Sequence, residues 1–153
     1  VPCWAPQKVR PRLPSQRIRQ YSYVYAALCP ETGDLCSLIM PYSNTDCMQI
    51  FLEEFARQRA GKPTLLIMDQ AAWHKSSVLQ KYPNILITYQ PPYSPELNPV
   101  EHLWKHLRTT FTHNWFWSSL DKLEDRLCEV LLQLSKNPQT IKSFSLFDWM
   151  IYV

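Results

Sequence analysis

The chain has 153 residues, of which 46% are hydrophobic and 19% charged, and its net charge is +3. That length fits one domain with a sizeable core, and the composition excludes a disordered chain. No apolar run is long enough for a bilayer and no signal-peptide segment opens the chain, so no membrane partner is expected. Two glycines against 13 prolines exclude a glycine-rich phosphate cradle.

Residues 1–19, VPCWAPQKVRPRLPSQRIR, are rich in proline and basic side chains, with no helical period. Lys8, Arg10, Arg12, Arg17 and Arg19 all precede the first acid, Glu31. They read equally as a phosphate-binding arm or as a solvated extended segment. YSYVYAAL (21–28) alternates in the manner of a strand, PETGD supplies turn chemistry around Gly33, and LCSLIM (35–40) returns. This is an antiparallel hairpin.

Asn44 or Thr45 can cap a helix over 45–60, whose Met48, Phe51, Leu52 and Phe55 form one apolar stripe. Gly61 and Pro63 end it. TLLIM (64–68) is apolar throughout, which predicts a strand buried on both faces, with Asp69 at its tip. A short helix over 75–81 and a strand, ILITY (85–89), complete a βαβ-like unit. Asn98 as cap and Pro99 in the first position open the next helix. Its stripe is Val100, Leu103, Trp104 and Leu107, with Glu101, Lys105 and Arg108 on another face. Leu120, Leu123, Leu127, Leu131 and Leu134 mark a long amphipathic helix that Asn137-Pro138 stops. The tail TIKSFSLFDWMIYV shows no clear period but is apolar enough to pack on the domain or a partner. The order predicts a mixed α/β sheet covered by helices.

Five scattered cysteines (Cys3, Cys29, Cys36, Cys47 and Cys128) form no Cys-x-x-Cys pair. That argues against a disulfide framework or structural zinc site and for reduced thiols in the cytoplasm.

Two acids draw attention. Asp69 ends an apolar strand, where a charge is costly unless solvated, paired or metal-bound; it reads as a site residue or as a cap for the next turn. Glu101, 32 positions on, follows Asn98 at the spacing of a capping box, a role that helix chemistry alone favours. An acid after one strand and another after its neighbour would nevertheless face a common cleft.

MDQAAWH followed by PPYSPELNPVEHLW resembles the catalytic core of DDE transposases, closest to the bacterial insertion-sequence branch related to the mariner group. WAPQKVRPRLP, the hairpin and FLEEFARQ extend the likeness over most of the chain. The resemblance implies a ribonuclease-H-like fold and DNA as partner, both transposon ends and target. It also implies a bacterial, nucleoid-associated location, and three carboxylates holding two Mg²⁺ or Mn²⁺ ions. Asp69 matches the second acid and Glu101 the third; both would be catalytic and metal-binding. The first acid has no match, since Asp34 lies in a hairpin turn and Asp46 at a helix start. The expectation is therefore a domain for metal-dependent DNA strand cleavage and strand transfer that is a fragment of a longer transposase, or a remnant that binds DNA or self-associates without cleaving. Either is inactive alone, and its unpaired sheet edge favours a homodimer or higher oligomer.

Around these acids, His74 reads as site-proximal or as a surface histidine. His102 and His106 have zinc-compatible spacing but no evident third ligand, which favours a solvated face. Lys105 and Arg108 can contact phosphates, against a simple Glu101–Lys105 ion pair. Tyr93 and Trp73 can stack on bases or merely pack. The apolar run Trp115–Trp117 reads as a protein contact or as burial beneath the final helix.

Overall fold

The computed structural model describes residues 6–8, 20–71, 82–112 and 117–150. Two antiparallel strands, β1 (Tyr23–Leu28) and β2 (Leu35–Met40), form the hairpin, with Tyr25 opposite Leu38 and Leu28 opposite Leu35. Gly33 sits at φ +78° in the turn, and its N–H donates to the Cys29 carbonyl at 2.8 Å. A side chain at Gly33 would also place its Cβ 2.7 Å from Pro138 Cα, so this turn is pressed against a distant part of the chain.

Helix α1 (Thr45–Arg59) starts where Asn44 Oδ1 accepts from the Cys47 N–H at 2.9 Å. Its stripe of Met48, Phe51, Leu52 and Phe55 is buried. The stop lies slightly earlier than expected: Ala60 takes the left-handed conformation, with its N–H returned to the Ala56 carbonyl. Strands β3 (Thr64–Met68) and β4 (Ile85–Tyr89) pair in parallel, Leu66 beside Ile87 and Met68 beside Tyr89. One core joins Tyr25, Cys36, the α1 stripe, Leu66, Met68 and Ile85, so the hairpin and the parallel pair both rest on α1.

The second core lies on the other face of the hairpin. Helix α2 (Pro99–His106) runs on into a π-helical turn, Leu107–Thr112. It packs with α3 (Leu120–Ser135) and α4 (Pro138–Ser145) around Leu103, Leu107, Val130, Leu131, Leu134 and Ile141, against Val24, Ala26, Leu28, Leu35 and Ile39. The tail, read as lacking a period, contains α4: Asn137-Pro138 both ends α3 and opens the next helix. Ile141 and Ser145 are fully buried four residues apart.

Two expectations need correction. The strands form two separate two-stranded sheets, β1-β2 and β3-β4, not one mixed sheet. Nor is β3 buried on both faces: Leu66 and Met68 face α1, whereas Leu65 and Ile67 are 57% and 55% exposed. The reason is shared. Among the described residues no strand pairs with the second edge of β1 or of β3, and the α2–α4 layer covers the hairpin alone. The helix expected over 75–81 lies outside the described residues.

The Arg59–Asp34 ion pair, at 3.3 Å, holds the hairpin turn against the end of α1, just before β3 begins. Hence the turn that follows β1 lies beside the start of β3. No helix among the described residues is long and apolar enough to cross a membrane. Cys29, Cys36, Cys47 and Cys128 are free thiols, and burial pushes the Cys36 thiol up to about 11.

Candidate active site

At the far end of β3 the chain leaves the sheet through Asp69. The last strand carbonyl, that of Met68, accepts the Gln90 N–H at 2.8 Å, which keeps the ends of β3 and β4 together. Gln70 adds a second tie, donating from Nε2 to the Gln90 carbonyl at 2.8 Å. Asp69 is exposed, and its Oδ1 accepts the Ala71 N–H at 3.0 Å. The turn-capping bond is thus made while the carboxylate stays at the surface.

From Gln90 the loop Pro91–Ser94 enters a short 3-10 turn, Pro95–Leu97, and then α2. Three prolines in five residues stiffen this path. Gln90 Nε2 also reaches the Leu97 carbonyl at 3.3 Å, so one side chain spans from the end of β4 to the residue before the helix cap. Asn98 Oδ1 accepts from the Val100 N–H at 3.1 Å, and the Asn98 N–H is taken by the Pro95 carbonyl at 3.0 Å. This corrects the capping-box reading of Glu101: the donor it would have answered is already occupied. Glu101 is exposed in the first turn, where the helix dipole favours a negative charge.

Asp69 and Glu101 therefore stand on separate rigid elements and line the same two cavities. The smaller, about 500 Å³, is walled by the loop from Gln90 to Pro95 together with Gln70 and Asn98. The larger, about 1790 Å³, runs from the two acids along β1 and β3. The two glutamines escaped the sequence reading. The one hint was their position, each following a strand within MDQ and TYQ.

A family profile described as DDE superfamily endonuclease matches residues 2–124. The chain belongs to this family. Among relatives of this chain, the uncharacterized protein y4pE/y4sA of Sinorhizobium fredii (strain NBRC 101917 / NGR234) is 35% identical over 130 residues, 84% of this chain and 96% of that one. The insertion element IS630 uncharacterized 39 kDa protein of Shigella sonnei is 37% identical over 87 residues, 54% of this chain but 25% of its own length. No solved structure matches.

The remaining candidates of this DDE chain are dispersed. Tyr93 lines the smaller cavity, is fully exposed and holds φ +59°, so it packs on nothing. Lys8 is exposed in a turn at φ +72°. Arg10, Arg12, Arg17, Arg19, Trp73, His74 and Trp115 lie outside the described residues. Lys105 and Arg108 are exposed, and the Glu101–Lys105 ion pair does not form. His102 and His106 depart from expectation, since they face α4 and not solvent. His102 Nδ1 donates to the Phe144 carbonyl at 2.6 Å and its ring meets Phe147 edge-on. His106 stacks on Phe144 at 4.9 Å, and burial pushes its pKa below the ordinary range. Their rings are structural.

The donor set for a metal is right in kind but short in number. Two exposed carboxylates are hard oxygen ligands suited to Mg²⁺ or Mn²⁺. Among the described residues, however, no group of three His, Cys, Asp or Glu is close enough to hold an ion.

Proposed function

We propose that this chain is the catalytic domain of an insertion-element transposase, acting on transposon ends and target DNA, with Asp69 and Glu101 as two of its metal-holding acids. The observation that carries the reading is that these acids, from the end of β3 and the start of α2, line the same cleft. Membership of the DDE superfamily and similarity to an insertion-element protein support it. Bound divalent ions would supply activation of the attacking oxygen and stabilisation of the leaving one. The protein's own part is to fix the two carboxylates: the Gln90 bridge and the proline-stiffened loop hold α2 against the strand ends. Tyr93, exposed at the rim, would stack on an unpaired base. Lys8, Lys105 and Arg108, with the arm residues Arg10, Arg12, Arg17 and Arg19, would contact phosphates, and His74 would lie near the site.

With two acids the chain binds Mn²⁺ weakly and does not cut DNA by itself; in this state it is a non-cleaving, DNA-binding domain. Calorimetric titration should show weak Mn²⁺ binding to the native chain and none to Asp69→Ala or Glu101→Ala. Supercoiled plasmid should stay intact with Mn²⁺ present. Equal Mn²⁺ binding by all three proteins would remove the assignment of the site. Nicking by the native chain that Asp69→Ala abolishes would show the domain to be active as it stands.

A further inference from the structure

Contact with α2 continues beyond the end of α4. Leu146 returns its N–H to the Lys142 carbonyl, and the backbone then turns once more through Asp148–Met150, where the Met150 N–H donates to the Phe147 carbonyl at 2.9 Å. Phe147 is seated against α2. Its ring meets that of His102 edge-on at 4.7 Å, and His102 is itself held by its Nδ1 bond to the Phe144 carbonyl. Trp149 lies on Phe147, with ring centres 5.8 Å apart and planes 21° apart. Three rings thus run in series, starting from the residue next to Glu101. The last of them is bare: Trp149 is 53% exposed, whereas Trp104 and Trp117 are half-buried. Folded proteins cover most of a tryptophan, so one held in place and left open is a surface for a ligand.

We propose that Trp149 is a platform on which an unpaired DNA base stacks, in the cavity that does not hold Tyr93. The platform rests on the transposase reading above for DNA as the ligand. Trp149 lines the larger cavity and Tyr93 the smaller, and the two cavities share Asp69, Gln90, Pro91, Asn98 and Glu101. A strand whose phosphodiester lies at the acids therefore meets one exposed ring in each cavity. It follows that this strand is unpaired on both sides of the bond held at the acids.

Stacking suits this ring better than other contacts. Phe147 fixes the plane of Trp149 from one side, and a base on the open side continues the same series of rings. Every base has such a face, so the platform carries no sequence preference. A base inside a duplex has both faces covered by its neighbours and cannot use it. Phosphate is disfavoured at this point, because the exposed Asp148 directly precedes Trp149 in the turn. The positive charge of this cavity stands elsewhere, on Lys142 of α4 and on Arg59 and Lys62. Trp149 therefore meets the base and not the backbone. A polypeptide guest would also cover the ring, but an aliphatic side chain at position 149 would serve it as well as an aromatic one.

The test compares the native chain with Trp149→Leu, which keeps apolar bulk, and Trp149→Phe, which keeps an aromatic face. A labelled single-stranded oligonucleotide of about 12 nucleotides, and the duplex of the same sequence, are titrated at several salt concentrations. Trp149→Leu should weaken single-strand binding by roughly tenfold, and by the same factor at every salt concentration, because stacking is lost and counterion release is not. Trp149→Phe should restore most of the affinity, and duplex binding should be equal in all three proteins. A readout on the native chain alone guards against misfolded variants: irradiation with a 5-iodouracil oligonucleotide should attach it at Trp149. Equal single-strand affinity for the native chain and Trp149→Leu, an equal loss with duplex, or attachment that never reaches Trp149 overturns the platform. Mn²⁺ titration of the native chain keeps this proposal apart from the metal reading. Single-strand binding that depends on Trp149 without any Mn²⁺ binding leaves the platform standing and removes the acids. Mn²⁺ binding with no effect of Trp149 on single-strand affinity does the reverse.

Discussion

His106 shows how a single side chain can couple packing to protons. Its ring lies between Phe144 and Phe111, and burial lowers its pKa from an ordinary 6.5. The unfolded chain therefore takes up a proton at a pH where the folded chain does not. Above about 6.5 neither state is protonated and nothing is lost. As pH falls below that value the unfolded state gains, until the folded pKa is passed and the loss is complete. We expect the melting temperature to drop across this window, and His106→Phe to flatten the slope. Glu54 is no confounder. Arg57 and Gln58 hold it down to about 2, so its stabilising contribution is lost as pH falls from about 4.5 to about 2, below the histidine window. A slope unchanged in His106→Phe would assign the effect to other groups.

At the scale of elements, the hairpin turn and α4 are locked together through Gly33. An alanine there would have to adopt a left-handed backbone and push its Cβ into Pro138. Left-handed strain costs about 1–2 kcal/mol and overpacking about 1–3, so Gly33→Ala should lose about 2–4 kcal/mol by urea unfolding. A loss under about 0.5 kcal/mol would mean that the turn and α4 separate easily. Sequence could supply the turn but not this contact, because nothing in PETGD points to a partner more than a hundred residues away. The same limit explains the other differences. Asn44, Asn98 and the α1 stripe were readable because caps and helical periods are local. The exposed face of Leu65 and Ile67 was not: an apolar run shows that a strand can be covered, not that a cover is present. The histidine pair looked solvated because Phe144 belongs to a helix whose short period, Ile141 to Ser145, was lost in an apolar tail, and Phe147 follows that helix. Asp69 and Glu101 stood out as charges flanking apolar strands, whereas the glutamines holding their elements together carry no charge.

Taken whole, the molecule is two cores joined through the hairpin, with an open cleft along one side. The α2–α4 layer protects one half of the strand layer and leaves the other half bare. Leu65, Ile67 and Leu86 point to the same side of the parallel pair, and Leu86 is 69% exposed. The outer edge of β4 has no strand paired with it among the described residues. Exposed apolar β surface beside an open edge is a recognised route to association. A net charge of +3 supplies little repulsion against it. We therefore expect the chain alone to self-associate through the outside of the β3-β4 pair. Light scattering across a dilution series should show mass rising with concentration, and Leu65→Lys with Leu86→Lys should return a monomer. A native chain that stays monodisperse and monomeric at high concentration would overturn this expectation.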